Sequence, residues 1–322
     1  MTTVFLTSPE VNAGKTTFAI TLGRRLRHVG RRVDYRRVAG RGASGDVAFV
    51  ETALGLHGSP DPICPSADSI AEMLTSSADV LLVEAGDPEA SGLIARADGV
   101  ITVIVARFQA ENLDDRIIAH AHAIGTSRAL VLINVVPDKG LRQVRRRVIP
   151  ALQEANLKVI GVIPQDRVLL GTTVENLATF LRAQVLCARD QLDRPVEAVM
   201  IAAMSDEGAT EYFQRMARKV VVAAGDRPDI HLPALSTDTS CIVLSQGLDP
   251  DPTVLETAEE VGVPLLKVQP DTLDVLELIA DHFAEVRFRQ PHKIGPALAL
   301  FRAHLDEAVL FDVLGIDRRE VA

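Results

Sequence analysis

Residues 4–26, VFLTSPEVNAGKTTFAITLGRRL, decide the fold of this chain. An apolar strand runs into a loop, and Gly14-Lys15-Thr16-Thr17 then opens an amphipathic helix. This is the context that a phosphate-binding loop, or P-loop, requires. Amides at the helix start would bind phosphate oxygens, Lys15 would neutralise the β and γ phosphates, and the Thr16 hydroxyl would ligate Mg²⁺. The stretch therefore predicts a site for a nucleoside triphosphate, with ATP and Mg²⁺ as the expected ligands.

The P-loop pattern is incomplete at its first glycine. Pro9 stands at that position, and Ser8 precedes it. Two alternatives therefore stay open beside the nucleotide site. The helix could simply begin at an ordinary Gly-Lys-Thr, or the chain could be a scaffold whose nucleotide site is vestigial.

Short apolar runs alternate with amphipathic stretches through the first half of the chain, which predicts a doubly wound, mostly parallel α/β sheet of the P-loop NTPase type. The expected strands cover residues 4–7, 33–38, 80–84, 99–106, 129–134 and 158–163. The expected helices lie near 15–29, 45–55, 67–77, 111–124 and 138–155.

The pattern changes after Pro164, where TTVENLATFLRAQ is a helix candidate. The strands that recur after it predict a second, smaller α/β unit, with the boundary near residue 180. Its strands are expected near 196–203, 219–224, 241–245 and 264–268. We place the domains at 1–180 and 181–288, with a helical tail at 289–322. The apolar spacing of the tail favours packing on a neighbour or association, and we expect a homo-oligomer.

Length and composition indicate a folded protein of about two domains, because the chain has 322 residues, 47% of them hydrophobic and 24% charged. The apolar run 100–106 is far shorter than the roughly 20 residues of a membrane helix. MTTVFLTSPE lacks the features of a secretory leader, so we expect a cytoplasmic protein without membrane contact.

The net charge of −9 argues against nucleic-acid binding. Five arginines form a basic run that is a solvated face or an anion or partner site: Arg24, Arg25, Arg27, Arg31 and Arg32.

Three polar residues follow expected strands and are candidates for the nucleotide site. Glu84 ends the strand in ADVLLVEAGD, where its carboxylate could hold Mg²⁺ directly or through water, or cap the next turn. Asp46 in GRGASGD is either a second metal carboxylate or a helix N-cap. Asn134 could bond a purine edge or cap a turn.

The second half offers a candidate ligand site at two strand ends. Asp226 and Arg227 follow one apolar strand, Asp229 lies just beyond, and Ser245 ends another strand. Such groups suit a small anionic effector or a nucleotide. The alternative is an ion pair of Arg227 with Asp226 or Asp229 that fixes a turn.

Single histidines and cysteines predict little chemistry. His120 and His122 are two residues apart on an expected helix, so they are poor joint metal ligands. The cysteines Cys64, Cys187 and Cys241 form neither a C-x-x-C pair nor an even disulfide framework, and we expect reduced thiols.

The motifs SPEVNAGKTT, VLLVEAGD, LVLINVVPD and VIGVIPQDRVL occur in this order and resemble the dethiobiotin-synthetase-like P-loop domain, in the version found at the N-terminus of long phosphate acetyltransferases. The stretch 199–252, with GDRPDIHLPAL as its most specific part, resembles the DRTGG domain that follows there. KIGPALALFRAHLD is similar to the helix that ends this regulatory portion.

The resemblance implies a nucleotide-responsive regulatory or binding protein, with acetyl-phosphate metabolism supplying a partner enzyme. Acetyl transfer itself is not expected, since the catalytic domain of those enzymes would begin where this chain stops. The second alternative is an ATP-dependent ligase of the dethiobiotin or cobyrinate-amidation type. Arg37-Val38 replace the lysine-proline pair that helps dethiobiotin synthetases hold their diamine, and this departure argues against dethiobiotin synthesis.

Overall fold

The computed structural model describes residues 1–38, 43–56, 73–85, 88–126, 129–201, 208–285 and 288–316. The chain divides into two compact units. Unit 1 comprises residues 1–166 and 287–322, and unit 2 comprises residues 167–286.

Unit 1 contains a six-stranded parallel sheet with the order β2-β3-β1-β4-β5-β6. Its strands are β1 (Thr2–Thr7), β2 (Val33–Arg37), β3 (Val80–Glu84), β4 (Val100–Arg107), β5 (Leu130–Val136) and β6 (Lys158–Pro164). All five residues of β3 are buried, as expected for an inner parallel strand covered on both faces. The predicted doubly wound α/β sheet is confirmed, and each of the six strands lies within three residues of its predicted bounds.

The helices of unit 1 lie between these strands and after unit 2. They are α1 (Lys15–His28), α2 (Ala43–Leu54), α3 (Pro88–Ala95), α4 (Leu113–Ala123), α5 (Asp138–Gln143), α6 (Ile149–Glu154), α13 (Ile294–His304) and α14 (Glu307–Leu314). A π-helical turn, Val144–Val148, joins α5 to α6 where one continuous helix was predicted. Pro150 follows that turn and has no N–H to donate to the helical ladder, which accounts for a local departure from α geometry.

The strand order brings three strand ends together at one edge of the sheet. Glu84, the last residue of β3, lies between Arg37 of β2 and Leu6 of β1 in the register of the sheet. The loop after Thr7 leaves β1 at this same edge. In parallel sheets the ligand site lies outside the carboxyl ends of the strands, so this edge is where a site is expected.

Unit 2 is a smaller α/β structure around the sheet β10-β11-β12-β13-β8, in which only β8 runs antiparallel to its neighbour among the described strands. The strands of unit 2 are β7 (Thr172–Thr173), β8 (Gln184–Val185), β9 (Pro195–Val196), β10 (Ala198–Ile201), β11 (Lys219–Ala224), β12 (Thr239–Ser245) and β13 (Leu265–Lys267). Its helices are α7 (Arg167–Leu170), α8 (Val174–Leu181), α9 (Ala209–Gln214), α10 (Pro228–Leu235), α11 (Pro252–Val261) and α12 (Thr272–Glu285).

The boundary between the units lies at Asp166, whereas the sequence pattern placed it near residue 180. Helix α8 explains the difference. Its buried residues Val174 and Leu177 belong to the same apolar cluster as Val220 and Val243 of the second sheet, so this helix folds with unit 2.

The C-terminal tail also differs from expectation. Instead of forming a separate segment at 289–322, it completes unit 1. Phe301 of α13 stacks on Phe18 of α1 with ring centroids 6.0 Å apart. The amide of Asp306 donates to the carbonyl of Ile160 in β6 at 2.7 Å. The apolar face of the tail is therefore covered by unit 1 itself.

Some sequence predictions fall outside the described residues. These are Cys64, residues 202–203 of one expected strand, and most of the helix expected at 67–77. Cys187 and Cys241 are free and buried, as predicted. Among the residues that the structure describes, no helix combines the length and the apolarity that crossing a bilayer requires.

Candidate functional site

The loop between β1 and α1 contains two residues in the left-handed region of backbone conformation. Asn12 and Gly14 have φ angles of +55° and +97°. A Cβ on Gly14 would also overlap the side-chain amide of Asn134, so glycine is required there for two reasons. Pro9 is not among the residues with positive φ. A proline therefore fits at the position where the sequence motif usually has glycine.

Hydrogen-bond donors hold the carbonyl groups of the loop. The bonds run from Ser8 Oγ to Glu10 O (2.6 Å), from Arg107 Nη1 to Asn12 O (3.5 Å), from Asn134 Nδ2 to Ala13 O (2.9 Å) and from Phe18 N to Gly14 O (3.0 Å). By contrast, the backbone amides from Glu10 to Thr17 donate to no acceptor in the described part of the chain. A run of free amides at a helix start is suited to an anion, because the N–H groups and the helix dipole both favour negative charge there.

Lys15 places a positive charge beside these amides. The residue is 8% exposed, and its Nζ donates to Ser8 Oγ at 2.5 Å. Within the described residues it forms no ion pair. Burial lowers the pKa of the ammonium, and the nearby charge of Glu84 only partly opposes this. A buried cation without an ion-pair partner is costly, so this site favours an incoming anion.

Glu10 ties the loop to the neighbouring elements. Its Oε1 accepts from the amide of Arg107 at 2.5 Å, and its Oε2 accepts from Arg116 Nη2 of α4 at 2.7 Å. Burial raises the pKa of this carboxyl, against the opposing effect of both partners. The carboxylate is thus engaged within the protein and does not face the free amides as a competing anion.

Thr16, Glu84 and Tyr35 form one hydrogen-bonded group. The Thr16 hydroxyl donates toward both oxygens of Glu84 at 3.1 Å, and the Tyr35 hydroxyl donates to Glu84 Oε2 at 2.8 Å. Glu84 is 2% exposed. Burial, together with the charge of Glu84, raises the pKa of Tyr35 well above its ordinary value, so this hydroxyl remains a donor.

Arg37 joins the two carboxylates that the sequence predicts for Mg²⁺. Its Nη1 lies 2.6 Å from Glu84 Oε1, and its Nη2 lies 3.0 Å from Asp46 Oδ2. Arg289 of the tail also bonds to Asp46, with its Nε 2.8 Å from Oδ1. Thr16, Glu84 and Asp46 offer the oxygen atoms that magnesium prefers, but both carboxylates already pair with guanidinium groups. In this arrangement the residues do not fit a magnesium ion.

The remaining predicted nucleotide residues lie close to the loop. Asn134 Oδ1 accepts from the amide of Val135 at 2.9 Å, while its Nδ2 holds the carbonyl of Ala13. The side chain therefore braces the loop, and a contact with a purine stays a prediction. Thr17 is buried in the first turn of α1, one residue beyond Thr16.

His120 of α4 lies against the end of β1 as a neutral side chain. Its Nε2 is 3.0 Å from Thr7 Oγ1. Burial and the charge of Lys15 lower its pKa to about 4. The structure groups neither His120 nor His122 with other metal-ligating side chains among the described residues.

The candidate site of unit 2 lies at the ends of β11 and β12, where Ala224 pairs with Ser245 in register. Ser245 is fully buried, and its Oγ lies 2.8 Å from Thr272 Oγ1. Arg227 pairs with Asp229, with Nη2 2.7 Å from Oδ2. The ion pair that the sequence offered as the alternative to ligand binding is thus present, and Asp226 is exposed beside it.

We expect the buried His231 of α10 to make the stability of unit 2 depend on pH. Burial lowers the pKa of its imidazole to about 4, whereas an unfolded chain has the ordinary histidine value of about 6.5. Between these values the unfolded state binds more protons than the folded state, so the free energy of unfolding falls as the pH drops below about 6.5. From about pH 7.5 to about pH 5 the loss is about 2 kcal/mol.

Urea unfolding of the full chain at both pH values measures this dependence. His231→Gln should remove that part of the pH slope, while His292→Gln, which changes an exposed histidine, should keep the wild-type slope. If the free energy of unfolding of His231→Gln depended on pH as it does in the wild type, another titratable group would be responsible for that dependence.

Several residues that shape the candidate site are not predicted from the sequence. Arg37 had a detectable signal, because it ends a strand next to the strand that ends in Glu84. Tyr35 lies on the same strand, two residues earlier, and so on the same face. Arg289 had no such signal, since 243 residues separate it from Asp46.

Comparison with known protein families identifies the second half of the chain. Residues 176–282 match the DRTGG domain. Among curated proteins, the phosphate acetyltransferase of Nitratidesulfovibrio vulgaris is 30% identical over 166 residues, which is 48% of this chain and 23% of that protein. The phosphate acetyltransferase of Pseudomonas aeruginosa is 24% identical over 262 residues, covering 71% of this chain and 37% of that protein. The matches thus span well under half of these relatives' length.

Solved structures give more distant similarities. The CBS and DRTGG domains of the regulatory region of Clostridium perfringens pyrophosphatase, complexed with the activator diadenosine tetraphosphate, are 17% identical, with 48% of this chain and 73% of that chain covered and a TM-score of 0.30. The MinD cell division protein of Aquifex aeolicus is 16% identical, with 53% and 84% covered and a TM-score of 0.39. The chain carries a DRTGG domain at residues 176–282, after an N-terminal region that resembles the N-terminal region of phosphate acetyltransferases.

Proposed function

We propose that unit 1 binds the triphosphate of a nucleotide, with ATP as the first candidate, and that the protein is a nucleotide-responsive regulator. The observation that carries this proposal is the run of free amides from Glu10 to Thr17. Their carbonyl counterparts are held by other groups, so the loop keeps this shape without a ligand. Such a preformed loop binds without paying a large ordering entropy.

The buried ammonium of Lys15 also supports phosphate binding. Its buried ammonium lies next to the free amides and has only a hydroxyl as its hydrogen-bond partner among the described residues. Charge-assisted hydrogen bonds to phosphate oxygens would replace the hydration that this group has lost. The loop and the lysine together therefore favour a multiply charged phosphate chain over a single small anion.

Calorimetric titration with ATP tests this proposal. We expect saturable binding by the wild-type protein and an affinity about 100-fold lower for Lys15→Ala, because a charged contact is worth about 3 kcal/mol. Lys158→Ala is the matched control, since it removes an exposed lysine of the same unit and should leave the affinity unchanged. The absence of ATP binding by the wild type, or equal affinities for all three proteins, would favour a scaffold with a vestigial site.

For unit 2 we propose an anionic effector at Asp226, Arg227, Asp229 and Ser245, or a role in assembling a homo-oligomer. The Arg227–Asp229 pair is partly exposed, so an anion could exchange with Asp229 at modest cost. Partnership with an enzyme of acetyl-phosphate metabolism rests on the similarity to phosphate acetyltransferases. Sedimentation of the full chain with and without ATP tests the oligomer, and a constant monomer mass would exclude it.

A further inference from the structure

The guanidinium of Arg37 contacts all three residues that the sequence offers as candidates for a metal. It bonds to Glu84 at 2.6 Å and to Asp46 at 3.0 Å, and its Nη1 lies 3.3 Å from the hydroxyl oxygen of Thr16. Oxygen atoms of Glu84, Asp46 and Thr16 thus lie around the planar guanidinium of Arg37. The arrangement places a side-chain cation where the sequence motif predicts a divalent ion.

The charges around this group are balanced without a metal. Glu84 and Asp46 bring two negative charges into a buried region, and Arg37 and Arg289 bring two positive charges. Burial by itself lowers the pKa of the Arg37 guanidinium, but Glu84, Tyr35 and Asp46 together raise it above the ordinary value. Arginine stays protonated at every relevant pH, so this cation is permanent.

The lone pairs of the oxygen atoms are also occupied. Glu84 Oε1 accepts from Arg37 and Glu84 Oε2 accepts from Tyr35, and the single proton of the Thr16 hydroxyl, 3.1 Å from both oxygens, is shared between them. Magnesium demands oxygen ligands in a near-ideal octahedron at short distance. A metal could reach these atoms only if Arg37 first left both carboxylates, which are 2% and 8% exposed in their side chains. Breaking such a buried pair costs several kcal/mol.

We propose that Arg37 takes the place of the divalent cation, so that nucleoside triphosphate binding to unit 1 depends little on Mg²⁺. This inference rests on the proposed function. The fixed guanidinium neutralises the carboxylates that would otherwise repel the phosphate chain, and it stays beside Thr16 at the end of the free amides. Removal of the guanidinium leaves two buried carboxylates that need another cation, and Mg²⁺ then becomes necessary.

The test compares the dissociation constant for ATP in excess EDTA with the constant in Mg²⁺, on the full chain. For the wild type we expect the two constants to agree within about threefold, and for Arg37→Gln we expect EDTA to weaken binding by more than about tenfold. Arg32→Gln is the matched control, because it removes the same charge from an exposed ion pair and should behave as the wild type.

The outcomes separate this inference from the proposed function. If the wild type binds ATP only with Mg²⁺, the nucleotide site stands and the inference about Arg37 is wrong. If the wild type binds no ATP in either buffer, the proposed function is wrong as well. The wild-type comparison needs no variant, so it remains decisive if Arg37→Gln does not fold. An equal dependence on Mg²⁺ in wild type and Arg37→Gln would also overturn the inference.

Discussion

Phe301→Ala is expected to lower the free energy of unfolding of unit 1 by about 3–5 kcal/mol, the usual cost of deleting a buried phenyl ring. Phe301 is 3% exposed, and its ring stacks on Phe18 of the helix that follows the phosphate-binding loop. The loss of this ring should therefore loosen both the tail and the helix. Peptide-resolved hydrogen exchange on the full chain measures the effect separately in each unit.

Phe213→Ala is the matched control for this prediction. Phe213 is fully buried in the core of unit 2, so its removal should destabilise unit 2 and leave exchange in unit 1 unchanged. If Phe301→Ala left the stability of unit 1 as it is in the wild type, the tail would not be part of that core.

Glu84→Ala is expected to destabilise unit 1 by about 3–5 kcal/mol, because it removes one partner of a buried ion pair. Arg37 would keep only Asp46 as its carboxylate partner, and the buried hydroxyl of Tyr35 would lose its acceptor. Unsatisfied buried groups pay their full desolvation penalty. Urea unfolding of the full chain, with exchange in β3 as the local readout, measures the loss.

Two further variants make the Glu84 prediction specific. Asp79→Ala breaks the exposed pair with Arg32 and should change the stability little. Combining Glu84→Leu with Arg37→Met removes both charges and should cost less than Glu84→Ala alone, because Asp46 and Arg289 then remain as one balanced pair, whereas in Glu84→Ala two guanidinium groups share one carboxylate. A cost for Glu84→Ala as small as that for Asp79→Ala would contradict the buried network.

The sequence predicts those parts of the molecule that depend on local patterns. Residues 80–83 form a continuous apolar run that ends at Glu84, and the observed strand has the bounds predicted from it because a buried parallel strand needs such a run. Gly14-Lys15-Thr16 begins a helix because a strand precedes it and an amphipathic stretch follows it. The position of Glu84 beside Thr16 follows from the order of strands in a parallel sheet.

Long-range packing explains what the sequence does not predict. The helical spacing of apolar residues in α13 predicts that one face of the helix is buried. That spacing does not show that Phe18 of α1 is the residue it contacts. Likewise, Asp46 has the residue type of a metal ligand or an N-cap, and only the fold reveals its pairing with Arg37 and Arg289. The predicted magnesium site differs from the structure for this reason.

Hydrogen–deuterium exchange of the loop amides tests the central claim most directly, because the claim concerns the N–H groups from Glu10 to Thr17. ATP at about ten times the wild-type dissociation constant should slow exchange in this segment of the wild-type protein, and much less in Lys15→Ala, whose affinity is expected to be about 100-fold lower. Exchange rates in this segment that are the same with and without ATP would contradict the account.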